Sequence, residues 1–125
     1  MRKLLAAAAV LGALAGAAPS VSAHHSFAMF DRTRTATVNG TVREFQWTNP
    51  HAYIQVVVHE GNRDVEYSME MGAPMYLYAR GWRPRTLRPG MQVSIDYNPL
   101  RNGSPGGVVL DVRDSAGRAV GSNRE

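Results

Sequence analysis

The sequence predicts a mainly β protein, a five-stranded OB-like Greek-key barrel with one short helix between the third and fourth strands. Three observations carry that prediction. Runs of β-branched and aromatic residues alternate with polar ones at a period of two, the pattern of half-buried strands. Clusters of Gly, Pro and Asn separate the runs. One segment with a proline in its first turn, Met75 to Ala79, breaks the series after the third run. A small β-sandwich is the alternative architecture. Five strands in about a hundred residues favour the barrel.

Each element has its own signal. Thr35 to Trp47 is rich in Thr and Val, and Val38, Val42 and Phe45 are its inward residues. Asn39-Gly40 lies inside this run and marks a bulge or bend in one long strand rather than a hairpin turn. Thr48-Asn49-Pro50 is a corner, because proline fixes its own φ and biases Asn49 toward extended backbone. His51 to Glu60 is the clearest strand, with His59 facing solvent near its end. Asp64 to Met71 alternates, with Val65, Tyr67, Met69 and Met71 on one face and Glu66, Ser68 and Glu70 on the other. Pro74 suits the first turn of the helix, which ends near Gly81. Trp82 to Gly90 is a loop closed by a Leu-x-Pro-Gly turn. Met91 to Tyr97 and Val108 to Arg113 complete the barrel, joined through the Pro99–Gly107 turn. A polar tail from Asp114 to Glu125 is expected to fray.

The barrel domain spans residues 35–113 and two segments precede it. Met1-Arg2-Lys3, an apolar run from Leu4 to Ala18, and small residues through Ala23 form a signal-peptide pattern over 1–23, with cleavage after Ala23. The apolar run is about 15 residues, short of the roughly 20 that span a bilayer. The expected address is therefore periplasmic or secreted, with no membrane span after cleavage. Residues 24–34 form an N-terminal arm in which Phe27 and Phe30 are expected to dock on the body.

Charge and composition narrow the function. Of 14 basic residues Arg2 and Lys3 belong to the leader, leaving 12 arginines against 10 acids from His24 onward, a net charge of +2. So small an excess does not call for a nucleic-acid partner, and none is expected. With no cysteine, no disulfide supports the fold. Ser26, Ser68 and Ser94 lack a nucleophile-elbow setting, and no carboxylate pair is fixed by spacing. The sequence is therefore read as a binding or interaction module and not as an enzyme. Its partner is an unidentified small ligand, a metal ion or another periplasmic protein.

Two sets of residues are candidates for that binding. Cleavage after Ala23 would make His24 the first residue, whose α-amine and imidazole Nδ1 chelate one ion. A second imidazole, His51 or else His25, would complete a T-shaped site resembling the histidine brace of copper proteins. Nitrogen donors of this kind suit Cu(II), which makes copper the candidate cofactor. Glu70, Met29, Met69 and Met71 are further candidate ligands, the thioethers favouring Cu(I). The second set is a ligand face on strands two and three, with Trp47, Asn49, Tyr53, Gln55 and Tyr67 beside Arg80, Arg83, Arg85 and Arg88. Trp47 is weighed there as a packing residue first, and the arginines also read as a solvated loop.

Several blocks of the sequence together resemble a known family. They are the His24-His25-Ser26-Phe27 start, Gly40-Thr41-Val42, Trp47-Thr48-Asn49-Pro50-His51-Ala52, Glu70-Met71-Gly72-Ala73-Pro74, Gly81-Trp82 and Leu87-Arg88-Pro89-Gly90. In this order they resemble a family of small exported bacterial proteins classed as a domain of unknown function. The resemblance implies a secreted small β-barrel. It implies no activity, substrate or cofactor, and so transfers no catalytic residue.

Overall fold

In the computed structural model, which describes residues 27–122, the chain closes into a five-stranded barrel with one added strand. The expected leader 1–23, His24 and His25 lie outside the described residues. The strands are β1 (Ala36–Gln46), β2 (Tyr53–Glu60), β3 (Arg63–Glu70), β4 (Gln92–Pro99), β5 (Gly106–Asp114) and β6 (Ala119–Ser122). The helix α1 (Pro74–Ala79) lies between β3 and β4. Neighbours run β3-β2-β1-β4-β5-β6, and β3 also pairs with β5 in parallel through Ser68↔Gly106 and Glu70↔Val108. That pairing closes the ring into the OB-type order and excludes the sandwich.

The long first strand makes this closure possible. Its first half pairs with β4, Ala36↔Tyr97 through Thr41↔Gln92, and its second half pairs with β2, Thr41↔Val57 through Gln46↔Tyr53. It is one bent strand, as the sequence predicts, but the bulge is not at Asn39-Gly40. The register shifts between Val42 and Glu44, so Arg43 is the extra residue. Gly40 serves close approach instead, since a Cβ there would overlap the Val57 carbonyl and come within 2.7 Å of Val56 Cγ2.

The period of two sorts the side chains between the two faces. Val38, Val42, Ile54, Val56, Met69, Val93, Ile95, Val109 and Val112 point inward and are buried. Each such aliphatic side chain contributes about 1.5–3 kcal/mol by leaving water. Pro74 begins α1 at its first turn and is buried with Leu77, which joins the core. The Trp82 backbone N–H donates to the Leu77 carbonyl at 2.9 Å and Gly81 has φ +89°, which ends the helix, and the Trp82 side chain is buried in the core.

Several expectations about element ends need correction. Strand β2 begins at Tyr53 rather than His51, because Thr48 Oγ1 bonds the His51 carbonyl and holds His51 in the corner. In the arm only Phe30 docks, buried through its bridge to Leu100, whereas Phe27 is exposed beneath the Arg32 guanidinium. The tail from Asp114 does not fray at once. Asp114 accepts the Ala116 and Arg118 N–H groups, Gly117 turns the chain at φ +78°, and β6 pairs back onto β5. Gly121 then lies against the Trp82 indole, where a Cβ would overlap the ring. The barrel unit thus runs past residue 113.

Replacing Gly40 with valine should force the β1–β2 wall apart. Overpacking of this kind costs about 3 kcal/mol at the upper end of its usual range, a fall in Tm of roughly 15 °C for a domain of this size. Asn39→Thr, at the exposed neighbouring position, should change stability by less than about 0.5 kcal/mol. Thermal melting followed by circular dichroism checks both.

Candidate functional site

Candidate chemistry collects at three places on the barrel. The first is the β1–β2 corner. Thr48 Oγ1 donates to the His51 carbonyl at 2.7 Å, and the Ala52 N–H donates to the Gly72 carbonyl at 3.1 Å. These bonds fix the backbone on both sides of the His51 ring, which is one quarter exposed, at 25%. His51 Nδ1 lies 3.0 Å from the Met71 carbonyl oxygen and 3.5 Å from Glu70 Oε1. A carbonyl only accepts, so the contact with Met71 requires the proton on Nδ1, the tautomer in which Nε2 is the acceptor nitrogen.

Glu70 is the unexpected member of this corner. The alternation places it on the outer face, yet it is only 8% exposed. It sits between Tyr53, its partner across the β2 ladder, and Val108, its partner across the β5 ladder. Burial, and then the Glu70 charge, push the Tyr53 hydroxyl above its ordinary pKa. Met69 and Met71 are both essentially fully buried in the core, Met69 on the inner face of β3 opposite to Glu70. Met29 is half-exposed on a single 3-10 turn, Phe27–Met29, held where Arg101 N–H donates to its carbonyl at 2.9 Å. Among the described residues no three His, Cys, Asp or Glu side chains converge. The corner therefore offers two donors, His51 and Glu70, and His24 and His25 lie outside the described residues.

The second place is the mouth at the other end of β2, about 30 Å of strand away from His51. Here a cavity of ≈480 Å³ is lined by Arg34, Glu60, Arg63, Val65, Tyr67, Tyr97, Pro99, Leu100 and the turn from Gly103 to Gly106. The Tyr67 hydroxyl donates to the Glu60 carboxylate, and its ring meets Tyr97 edge-on at 6.3 Å. The Glu60 hydrogen bond, aided by burial, pushes Tyr67 up to about 12. Among the described residues, neither Arg34 nor Arg63 is in a salt bridge. Sequence reasoning missed Arg34, Glu60, Arg63 and Tyr97 as a group. Only the placing of Val65 and Tyr67 on one face pointed toward it.

The third place is α1 and the loop behind it. The Arg83 guanidinium lies 3.6 Å from the Tyr78 ring centroid and donates to the carbonyls of Tyr78 at 3.0 Å and Trp82 at 2.6 Å. Arg80 follows α1 as its C-cap.

The expected single ligand face is thus divided. Tyr53 lies on the outer wall with Gln55, whose amide donates to Gln46 Oε1 and Ser68 Oγ. Tyr67 pairs with buried Val56 and turns to the mouth. Trp47 is half-buried and meets Phe45 edge-on at 5.8 Å, so it packs. Asn49 is exposed at the cis corner. His59 faces solvent as expected, with Nδ1 2.8 Å from Asp64 Oδ1 across the hairpin.

The chain was also compared with known proteins. A family model described as a family of unknown function (DUF6152) matches residues 11–110. No curated protein and no solved structure matches.

The raised Tyr67 pKa gives a direct check of the mouth. The folded value lies above the ordinary 10, so this hydroxyl contributes stability in full below pH 10 and loses it as pH rises toward about 12. Glu60→Ala should bring the Tyr67 ionisation back toward 10, read by ultraviolet titration against a Tyr67→Phe control.

Proposed function

Given that the chain belongs to this family of unknown function, we propose that it is an exported binding module whose ligand site is the barrel mouth. One observation carries the reading. Arg34 and Arg63, both outside any salt bridge among the described residues, line a cavity walled by Tyr67 and Tyr97. The cavity size falls within the usual range for small-molecule sites. Arginine grips a carboxylate through paired N–H donors, and the tyrosine rings, Val65 and Leu100 suit an apolar body. The ligand class is a small organic carboxylate. Support for export is the charged, apolar and small-residue order of the first 23 residues.

Benzoate is a suitable probe. It should shift the amide resonances of Tyr67 and of Gly103 to Gly106, and neutral benzamide should not. Arg34→Gln and Arg63→Gln should each weaken benzoate binding about tenfold, the worth of one hydrogen bond to a charged group. Equal shifts from benzamide would overturn the carboxylate reading.

A second reading is favoured by the His51 ring. Metal-bound histidines characteristically donate their other ring N–H to a carbonyl or carboxylate, which is the arrangement of Nδ1 here. In this reading the module holds copper through the His24 amine and imidazole together with His51 Nε2, with Glu70 beside them. Chain length supports it. Asp31 N–H donates to the Pro99 carbonyl, so the arm joins the wall about three strand spacings, or roughly 15 Å, from Glu70. Six residues lead back from Phe30 to His24, enough for roughly 16 Å. Copper titration of a protein beginning at His24 should show tight binding. One added residue before His24, or His51→Ala, should weaken it by at least tenfold. Equal affinity with the added residue would sink amine chelation, and mass spectrometry of the exported chain checks the first residue.

A further inference from the structure

The segment from Met71 to Ile95 carries Arg80, Arg83, Arg85 and Arg88 and no acidic residue. From His24 onward the chain has a net charge of +2, so this segment at +4 leaves the remainder at −2. The molecule is therefore polarised, with its positive charge on α1 and the loop behind it. Arg43, Arg113 and Arg118 sit in salt bridges, whereas among the described residues Arg85 and Arg88, like Arg34 and Arg63, are in none.

The same segment exposes apolar surface that the fold does not need. Pro74 and Leu77 already dock α1. Met75, Tyr76 and Tyr78 are nevertheless 71%, 62% and 57% exposed, three of the five exposed large hydrophobic residues among those described. Tyr76 and Arg80 are four apart, the spacing of neighbours on one helical face, and Arg83 stacks on Tyr78. Basic and amphipathic groups thus lie side by side on α1 and the loop behind it.

We propose that α1 and its arginine loop form a docking surface for an anionic phospholipid membrane. Tyrosine rings settle at the headgroup level of a bilayer, and basic residues beside them are drawn to anionic lipid. A stable protein interface buries about 800 Å² on each partner with matched relief. Three exposed side chains on a six-residue helix are a small patch by comparison, and a bilayer requires no matching shape. The excess negative charge of the remainder turns this side toward an anionic surface. The inference is independent of the mouth and of the corner.

Each arginine should contribute about fivefold to binding and the four together several hundredfold. The test is co-sedimentation of residues 24–125, which contain every described element, with phosphatidylglycerol and with phosphatidylcholine vesicles. Binding to phosphatidylglycerol alone, lost at high salt, is the expected result. The variant R80Q/R85Q/R88Q leaves the Arg83–Tyr78 stack intact and should bind about a hundredfold more weakly. Met75→Ser with Tyr76→Ser should also weaken it, with circular dichroism unchanged in both variants. Equal binding to the two lipids, or full binding by either folded variant, would overturn the proposal. Capture of poly-glutamate as strong as that of phosphatidylglycerol would overturn it in favour of an acidic protein partner.

Discussion

The parallel pairing of β3 with β5 is the contact on which the remaining geometry depends. Ser68, Met69 and Glu70 meet Gly106, Gly107 and Val108, and this turns an open sheet into a ring. A ring has an inside, so the period of two along each strand becomes a division between core and wall. The same contact sets Glu70 between Tyr53 and Val108, and carries the Gly103–Gly106 turn to the rim of the mouth. Neither the buried carboxylate nor the cleft would exist on an open sheet.

What the sequence made legible follows from how local each signal is. Alternation identified every barrel strand, and Pro74 with Gly81 framed the helix, because these features depend on neighbours within a few positions. The outward placing of Glu70 was legible, and its burial was not, since that depends on a strand nearly forty residues later. Tyr53 and Tyr67 were assigned to one face because their relative register was unknown. Once Tyr53 pairs with Glu70, parity sends Tyr67 inward. Strand β6 is short and poor in strand signal, and it is held by a tight Asp114 turn and by Gly121 against Trp82. The missed mouth residues come from four separate elements and share no spacing at all.

Polar groups in this barrel fall into two states. Along the walls they satisfy one another, as where Arg113 donates to both Asp96 oxygens at 2.8 and 2.9 Å and where Arg43 meets Glu66 at 2.8 Å. These pairs are partly exposed, so each adds little stability and chiefly supports register. At the mouth Arg34 and Arg63, and behind the helix Arg85 and Arg88, are in no salt bridge among the described residues. The His51 corner lies between these cases, with its ring oriented by backbone and a carboxylate at its side. Burial there makes each polar partner matter more than on the walls.

The bent first strand has a consequence for the chain while it is being made. Because β1 is shared between β2 and β4, the first four strands can assemble before β5 exists. That assembly has two raw margins, β3 on one side and β4 on the other, each displaying unsatisfied backbone groups. Such margins recruit strands from other chains and seed aggregates. Residues 106–108 of β5 meet both margins at once, Ser68 to Glu70 on one side and Asn98 to Pro99 on the other. A nascent chain therefore stays adhesive until its last barrel strand emerges, and a single late segment ends that hazard.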